Sequence, residues 1–253
     1  MTCPAGGAVV YKCAMPLTNP EAPDLRHVET WVFDLDNTLY PASSDLFAQV
    51  SDRMREFIMD LLEIDAEEAH RLQKGYFISH GTTLKGLIDH HGINPRDFLD
   101  YVHEIDLSPI PPNPELPAIL GRLPGRKLIF TNGSVRHAEN IMIHLGIHEH
   151  FEGIFDIVHS DYVPKKHVEP YRRFLEAHAV EPAKAAMFED MARNLAPAHE
   201  LGMTTVWIPG ISEWSFDHSE GEHIHYVTED LNRFLSAALD VIEGRREPEE
   251  GQN

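Results

Sequence analysis

The segment Trp31-Val32-Phe33-Asp34-Leu35-Asp36-Asn37-Thr38 decides the fold that we expect for this chain of 253 residues. Three apolar residues in a row, ending at a cluster of polar ones, are typical of a buried parallel strand and the loop at its carboxyl end. The segment therefore predicts a strand whose last residues present carboxylates at one edge of a sheet.

The same pattern of an apolar run followed by polar or turn residues recurs four times further along the chain. Helical stretches separate the runs, at 135–145, around 170–178, and up to Leu201 with Gly202 as the C-cap. Alternating strands and helices predict an α/β fold, a Rossmann-like, doubly wound parallel sheet with helices on both faces. The runs are 127–130, a weaker one at 153–158, 185–188 and 204–208.

Between residues 44 and 116 no strand pattern is present. Apolar residues there follow helical spacing, as Leu46, Val50 and Met54 do, and a proline-rich stretch closes the region. We therefore predict an all-helical cap, residues 44–116, inserted after the first strand. The full expected division is a flexible N-terminal extension (1–28), the α/β core (29–43 and 117–243), the helical cap (44–116) and a flexible C-terminal tail (244–253).

The composition excludes several classes of partner. The chain carries 41 acidic residues against 21 Lys and Arg, a formal charge of −20, so its surface repels nucleic acid polymers and anionic membranes. No stretch approaches the roughly 18–20 apolar residues that span a bilayer, and no signal peptide is evident. The two cysteines, Cys3 and Cys13, favour neither a disulfide framework nor a cysteine metal site. We expect a soluble cytoplasmic protein, a monomer or weak homodimer.

Two pairs of carboxylates follow predicted strands: Asp34 with Asp36, and Glu189 with Asp190. The carboxyl ends of parallel strands meet at one edge of the sheet, where ligands bind. Four converging carboxylates make a hard, oxygen-rich site suited to Mg²⁺. The alternative is that each pair only caps the helix that follows it.

The third strand end and a later lysine favour the functional alternative. Thr131 and Asn132, followed by Gly133, offer a hydroxyl and main-chain N–H groups to an oxyanion, and Lys165 offers a compact cation. An anionic phosphate flanked by carboxylates needs a metal ion and a cation to offset the charge repulsion. We therefore expect a phosphate monoester of a small molecule as the ligand.

The four motifs Asp34-x-Asp36-x-Thr38, Thr131-Asn132, Lys165 and Glu189-Asp190, in this order and spacing, resemble those of the haloacid dehalogenase-like hydrolase superfamily. The resemblance covers roughly residues 30–210. Within the predicted cap, the segments 80–87 and 97–109 are similar to the pyrimidine 5′-nucleotidase branch of that superfamily. This match is shorter and less specific than the four core motifs.

The resemblance implies a role for each motif residue. Asp34 would be the nucleophile and Asp36 the acid and base, which points to phosphoryl transfer because dehalogenases lack an acid at that position. Thr131 and Lys165 would bind the phosphate, assisted by main-chain groups of Leu35 and Asn132. The Mg²⁺ ligands would be the Asp34 and Asp190 side chains and the Asp36 carbonyl, with Glu189 acting behind them or through water. Thr82 and Thr83 of the cap would meet the substrate.

The resemblance leaves several alternatives open. The superfamily often has proline after the motif lysine, whereas here Lys166 follows Lys165 and is itself a candidate. The implied substrate is a pyrimidine nucleoside 5′-monophosphate such as UMP or CMP. A sugar phosphate, phosphoglycolate or pyridoxal phosphate is the alternative among enzymes. A catalytically silent nucleotide-binding regulator is the alternative among other classes of protein.

Overall fold

The structure, a computed structural model, describes residues 22–248. Six parallel strands form one sheet with the spatial order β3-β2-β1-β4-β5-β6. This confirms the predicted α/β, doubly wound parallel sheet. The strands are β1 (Thr30–Phe33), β2 (Arg126–Phe130), β3 (Gly153–Phe155), β4 (Ala185–Glu189), β5 (Thr204–Trp207) and β6 (Tyr226–Val227).

The central strand β1 is buried along its whole length, as its apolar sequence predicts. It pairs with β2 on one side and β4 on the other, so that Val32 lies beside both Leu128 and Met187. The indole Nε1 of Trp31 donates to the Pro124 carbonyl at 2.7 Å, so the single polar atom of this core side chain has a partner.

Nine helices accompany the sheet within the described residues. Side chains of α5, α6 and α9 pack on one face of the sheet, and side chains of α7 and α8 pack on the other. The helices are α1 (Leu46–Leu62), α2 (Ala66–His80), α3 (Thr83–His91), α4 (Pro95–Val102), α5 (Glu115–Arg122), α6 (Val135–His144), α7 (Val168–Ala177), α8 (Ala192–Glu200) and α9 (Leu231–Ile242).

The helices α1–α4, which we name the helical segment, follow β1 and have an apolar cluster of their own. That cluster includes Val50, Leu87 and Phe98, and Ile157 from the loop after β3 also belongs to it. The helices begin at capping side chains: the Asp65 carboxylate accepts from Glu68 N–H, and the Thr82 hydroxyl accepts from Lys85 N–H. Only helices, turns and loops occur between β1 and β2.

Three expected boundaries differ from the structure. Strand β3 ends at Phe155, three residues before the expected end, because the Asp156 carboxylate accepts the main-chain N–H groups of Val158 and His159 and turns the chain. The expected core boundary at residue 117 falls inside α5, whose Leu116 is already buried in the core of the sheet. Strand β6 was not predicted, because two residues carry no readable period.

The predicted N-terminal extension is wrong for residues 22–28. Leu25 and Val28 are buried in the core of the sheet, and a Val28 N–H to Leu25 carbonyl bond closes a turn between them. In the expected tail, Arg245 pairs with Asp240 and Glu243 at the end of α9. The remainder of the two predictions, residues 1–21 and 249–253, lies outside the described residues. No helix within 22–248 combines the length and apolarity needed to cross a membrane.

Candidate active site

The carboxyl ends of β1, β2 and β4 meet at one edge of the sheet. Because β1 and β4 are neighbours in space but not in sequence, a crevice opens between them, which is where ligands bind in this class of sheet. Asp34 and Asp36 follow β1, Thr131 follows β2, and Glu189 and Asp190 end β4. All five residues line a single cavity whose opposite wall is the helical segment.

Lys165 joins the ends of all three strands. Its side chain is almost completely buried, and its ammonium donates to the Asp34 carboxylate, to Glu189 Oε2 at 2.6 Å and to the Phe130 carbonyl at 3.1 Å. Burial alone would lower the pKa of this ammonium, but the charges of Asp34 and Glu189 raise it above its ordinary value. Lys165 is therefore a permanent cation inside the carboxylate cluster.

The neighbouring lysine lies elsewhere. The Lys166 ammonium donates to the Ser79 carbonyl at 3.0 Å, near the end of α2, and its methylene groups lie against Gly81. The main-chain N–H of Lys165, by contrast, donates to Asn132 Oδ1 at 3.1 Å. Of the two lysines that the sequence left open, Lys165 is the one among the carboxylates.

Asp34 is buried. Its Oδ1 accepts from Lys165, and its Oδ2 accepts from the Thr38 hydroxyl at 3.2 Å. Burial, followed by the charge of Glu189, raises the pKa of Asp34 to about 7 against the attraction of Lys165. Burial and the charges of Glu189 and Asp34 also raise the pKa of Asp190 well above its ordinary value. The Lys165 ammonium contacts two of these three buried carboxyl groups, Asp34 and Glu189, and a second cation would relieve the remaining repulsion.

The donor set fits a hard divalent cation. Asp34, Glu189 and Asp190 each offer an oxygen, and these oxygens lie within 4.8 Å of one another. The Glu189 carboxylate already accepts from Lys165, from Asn194 Nδ2 at 3.1 Å and from a main-chain N–H. Asp190 Oδ2 accepts a long hydrogen bond from Asn37 Nδ2, at 3.4 Å. Asp34 and Asp190 are thus the freer ligands, and Glu189 is held in a supporting position.

Asp36 is held separately from this cluster. Its Oδ1 accepts the Tyr40 hydroxyl at 2.7 Å and contacts His137 Nε2 at 2.8 Å. Burial raises the pKa of Asp36, but the attraction and hydrogen bond of His137, with the Tyr40 hydrogen bond, lower it to about 2. His103 stacks on His137 with ring centres 4.1 Å apart, and burial lowers the pKa of His103 to about 3.

His137 and Tyr40 belong to none of the four sequence motifs, and neither was expected at the site. His137 lies in the first turn of α6, which begins directly after the Thr131–Ser134 loop, and a first-turn side chain of such a helix points back to the strand ends. Tyr40 lies four residues after Asp36. Both positions were readable as places near the site, but the contact with Asp36 required the packing of α6.

Of the remaining predicted ligands, Thr131, Asn132, Thr82 and Thr83 line the same cavity, and Leu35 is not among its lining residues. Leu35 is buried with its carbonyl accepting from Thr38 N–H, and the Thr131 hydroxyl accepts from Gly133 N–H at 2.9 Å. Across the cavity, the Thr82 hydroxyl caps α3 and the Thr83 hydroxyl donates to the Gln73 carbonyl at 3.3 Å. Both threonines line the cavity, while their hydroxyls already have partners within the helical segment.

The wall opposite the strand ends is mainly apolar and aromatic. Arg193, from the first turn of α8, places its guanidinium 4.3 Å from the ring centre of Phe77, and the Phe77 ring meets Trp214 edge-on at 6.0 Å. These three residues link the helical segment to the core. The apolar residues that line the cavity from the helical segment are Phe47, Val50, Met54, Leu84, Phe98, Leu99 and Val102.

A parallel sheet with carboxylates and a buried lysine at its switch point is suited to binding a small anionic ligand together with a hard cation. The profile of the haloacid dehalogenase-like hydrolases matches residues 28–202. The chain belongs to that family.

Three known proteins illustrate the similarity. Phosphate metabolism protein 8 of Saccharomyces cerevisiae is 29% identical over 243 residues, which span 88% of this chain and 74% of that protein. CbbY from Rhodobacter sphaeroides, solved in complex with phosphate, has a TM-score of 0.57 at 20% identity. The match covers 84% of this chain and 99% of CbbY. L-2-haloacid dehalogenase from Xanthobacter autotrophicus has a TM-score of 0.54 at 15% identity, covering 87% and 100% of the two chains.

Proposed function

We propose that this hydrolase is a Mg²⁺-dependent phosphomonoesterase that forms an aspartyl-phosphate on Asp34. The observation that carries the proposal is the contact between the Asp34 carboxylate and the buried Lys165 ammonium, with a second carboxylate, Asp36, two residues further on. A nucleophile beside a fixed cation, with a separate proton carrier, is the arrangement that phosphoryl transfer to a carboxylate requires.

In the first step an Asp34 oxygen attacks phosphorus and the bond from phosphorus to the leaving oxygen breaks. Asp36 donates a proton to that oxygen, so the leaving group departs as an alcohol. In the second step Asp36 takes a proton from water, the water oxygen attacks phosphorus, and inorganic phosphate leaves Asp34. Lys165 and Thr131 bind the phosphate oxygens in both steps, with main-chain N–H groups of Leu35 and Asn132.

The low pKa of Asp36 has a direct consequence for this cycle. With its pKa at about 2, Asp36 is a carboxylate at neutral pH when no ligand is bound. A bound phosphate adds negative charge nearby, and a like charge raises the pKa of a carboxyl group. Substrate binding therefore drives Asp36 toward the protonated state that the first step uses.

The Mg²⁺ ligands in this proposal are the Asp34 and Asp190 side chains and the Asp36 carbonyl, with Glu189 supporting them. The fit rests on three neighbouring carboxyl groups, of which only Asp34 and Glu189 contact the Lys165 ammonium. A bound Mg²⁺ would neutralise charge on the phosphoryl oxygens.

The substrate that we propose is a pyrimidine nucleoside 5′-monophosphate, UMP or CMP. The apolar wall of the helical segment offers a surface for a planar base, while the phosphate meets the strand ends. In this proposal the helical segment acts as a cap that closes over the leaving group and excludes water. The similarity to a yeast protein named for phosphate metabolism agrees with a phosphate ester as substrate.

The test is phosphate release from UMP, CMP, purine monophosphates, sugar phosphates, phosphoglycolate and pyridoxal phosphate, with Mg²⁺ and again with EDTA. We expect Mg²⁺-dependent turnover with the highest kcat/KM for UMP and CMP, and none for Asp34→Asn. Metal-dependent turnover of another ester alone would keep the chemistry and overturn the substrate. No turnover of any ester, with nucleotide binding intact, would establish the silent regulator instead.

A further inference from the structure

A buried amide lies in the cavity wall opposite the strand ends. Gln73, on α2, is 7% exposed and lines the cavity. Its Nε2 donates to the Ser51 carbonyl at 3.1 Å and lies 3.0 Å from the Ser51 hydroxyl, on α1. A carbonyl oxygen only accepts hydrogen bonds, so the end of the amide that faces Ser51 is the NH₂ group. The orientation of the Gln73 side chain is thereby determined.

The other end of the amide is unsatisfied. Gln73 Oε1 is buried and has no hydrogen-bond partner among residues 22–248. Buried acceptors without a partner are few in native proteins, because such an atom loses its bonds to water and gains nothing in return. The nearby Thr83 hydroxyl does not relieve it, since that hydroxyl donates to the main-chain carbonyl of Gln73. A donor that enters the cavity would satisfy this oxygen.

The surroundings of Gln73 restrict the chemistry of that donor. The helical segment contributes an apolar surface to the cavity, with Met54, Leu84 and Phe98 among its residues, and also polar side chains such as those of His70 and Lys74. A sugar without a base would place hydroxyls against the apolar part of this surface, where they gain no hydrogen bonds. A planar base buries two apolar faces and presents few polar atoms along its edge. A buried acceptor without a partner, beside apolar side chains, therefore suits a flat heterocycle with an N–H at its edge.

We propose that Gln73 Oε1 accepts a hydrogen bond from the base of the substrate, the N3–H of uracil or the exocyclic N4–H of cytosine. This inference rests on the proposed function, because it concerns the leaving group of the same reaction. Gln73 is a specificity residue in this proposal, and Ser51 is the residue that positions it. Neither residue takes part in the transfer of the phosphoryl group.

The experiment compares Gln73→Leu with the unsubstituted protein on UMP and on p-nitrophenyl phosphate, whose planar leaving group has no N–H. The expected result is a fall of about 10–100-fold in kcat/KM for UMP, the usual effect of a lost substrate hydrogen bond, with p-nitrophenyl phosphate within about twofold. Gln49→Leu is the matched control and should change neither value. Both ends of the Gln49 amide have partners: Nε2 donates to the Asp106 carbonyl, and Oε1 accepts from the Asp106 N–H. Gln49 is not among the residues that line the cavity.

An equal fall on both substrates would make Gln73 a purely structural link between α1 and α2 and would overturn the inference. No fall on UMP would also overturn it.

A second measurement needs no variant: the unsubstituted protein should hydrolyse 3-methyluridine 5′-monophosphate, which lacks the N3–H, at least about 10-fold less efficiently than UMP. Equal efficiency on the two would contradict it. Failure of the unsubstituted protein to hydrolyse UMP and CMP would refute the proposed function itself, and this result is visible before any variant is made.

Discussion

The His137 imidazole and the Asp36 carboxylate are joined at 2.8 Å, on the same Asp36 oxygen that accepts the Tyr40 hydroxyl. Two groups thus converge on Oδ1, and Oδ2 is left facing Gly133, where an added Cβ would lie 3.7 Å from it. In the proposed reaction, Oδ1 holds Asp36 in position, and Oδ2 carries the proton.

This contact predicts an effect of His137 on the pH profile. His137→Phe removes the attraction that lowers the pKa of Asp36, so the pKa rises toward the ordinary value of 3.8 or above it. Asp36 must be ionised to take a proton from water. With a higher pKa it becomes protonated at a higher pH as the solution is acidified, so the acidic limb of the kcat profile moves to higher pH. The measurement is a kcat profile from about pH 4 to 8. His137→Gln, which keeps a donor, should move the limb less; an unmoved limb in both variants would contradict the role of the contact.

Asp36→Asn tests the acid and base itself. We expect it to slow UMP hydrolysis by about 10²–10⁴-fold, because a general acid/base contributes about that much. p-Nitrophenol leaves without needing a proton, so phosphorylation by p-nitrophenyl phosphate should suffer less. Single-turnover kinetics with both substrates measures this difference, and an equal loss with both would argue against proton donation by Asp36.

The two adjacent lysines form a natural pair of variants. Lys165→Met removes the ammonium that serves Asp34 and Glu189, leaving the buried carboxyl groups without their cation. We expect activity to fall by more than about 10³-fold and the remaining stability to depend strongly on Mg²⁺. Lys166→Met removes only the bond to the Ser79 carbonyl and should keep kcat within about threefold. Both are measured by phosphate release and thermal unfolding; the reverse order of effects would assign the phosphate to Lys166.

The carboxylate cluster predicts how stability depends on pH without metal. The pKa of Asp34 is about 7 in the folded protein against an ordinary 3.8, so the folded state binds a proton more tightly than the unfolded state. The resulting stabilisation is complete below about pH 4 and is lost as pH rises through 7. Tm in EDTA should therefore fall between pH 5 and 8, by about 2–4 °C for each kcal/mol lost.

Mg²⁺ should raise Tm most at the upper end of that range, where Asp34 is ionised and binds a cation best. Asp34→Asn removes one of the two carboxyl groups with a raised pKa, Asp190 being the other, and its Tm in EDTA should vary less with pH than that of the unsubstituted protein. A metal-free Tm that rises from pH 5 to 8, or the same slope in Asp34→Asn, would contradict the raised pKa.

The predictions that came true from the sequence concern local patterns. The runs around Phe33, Phe130 and Phe188 consist of apolar residues followed by polar ones. In a parallel sheet the carboxyl ends of neighbouring strands lie at one edge, so these polar residues come together even when the packing of the helices is not known. The candidate residues Asp34, Thr131, Lys165 and Asp190 consequently lie around one cavity, as expected. Their roles in the reaction remain predictions.

What the sequence did not predict depends on how separate elements pack. The pairing of Gln73 with Ser51 requires two helices to meet at one register, and nothing in either helix alone distinguishes these polar residues from exposed ones. The contact of Arg193 with Phe77 likewise joins α8 to α2, elements far apart in the chain. Residues 22–28 looked like an extension because one buried leucine, Leu25, has no periodic neighbours.

The position of β1 also constrains how the protein tolerates mutation. This strand is flanked by β2 and β4, all its residues are buried, and Asp34 directly follows it, with its main-chain N–H bonded to the Phe188 carbonyl at 2.9 Å. A substitution in Trp31, Val32 or Phe33 would disturb the centre of the fold and the proposed nucleophile together. Selection on folding and selection on the proposed catalysis therefore act on the same few codons, whereas cavity residues outside the sheet, such as Met54 and Trp214, can change with less effect on the fold.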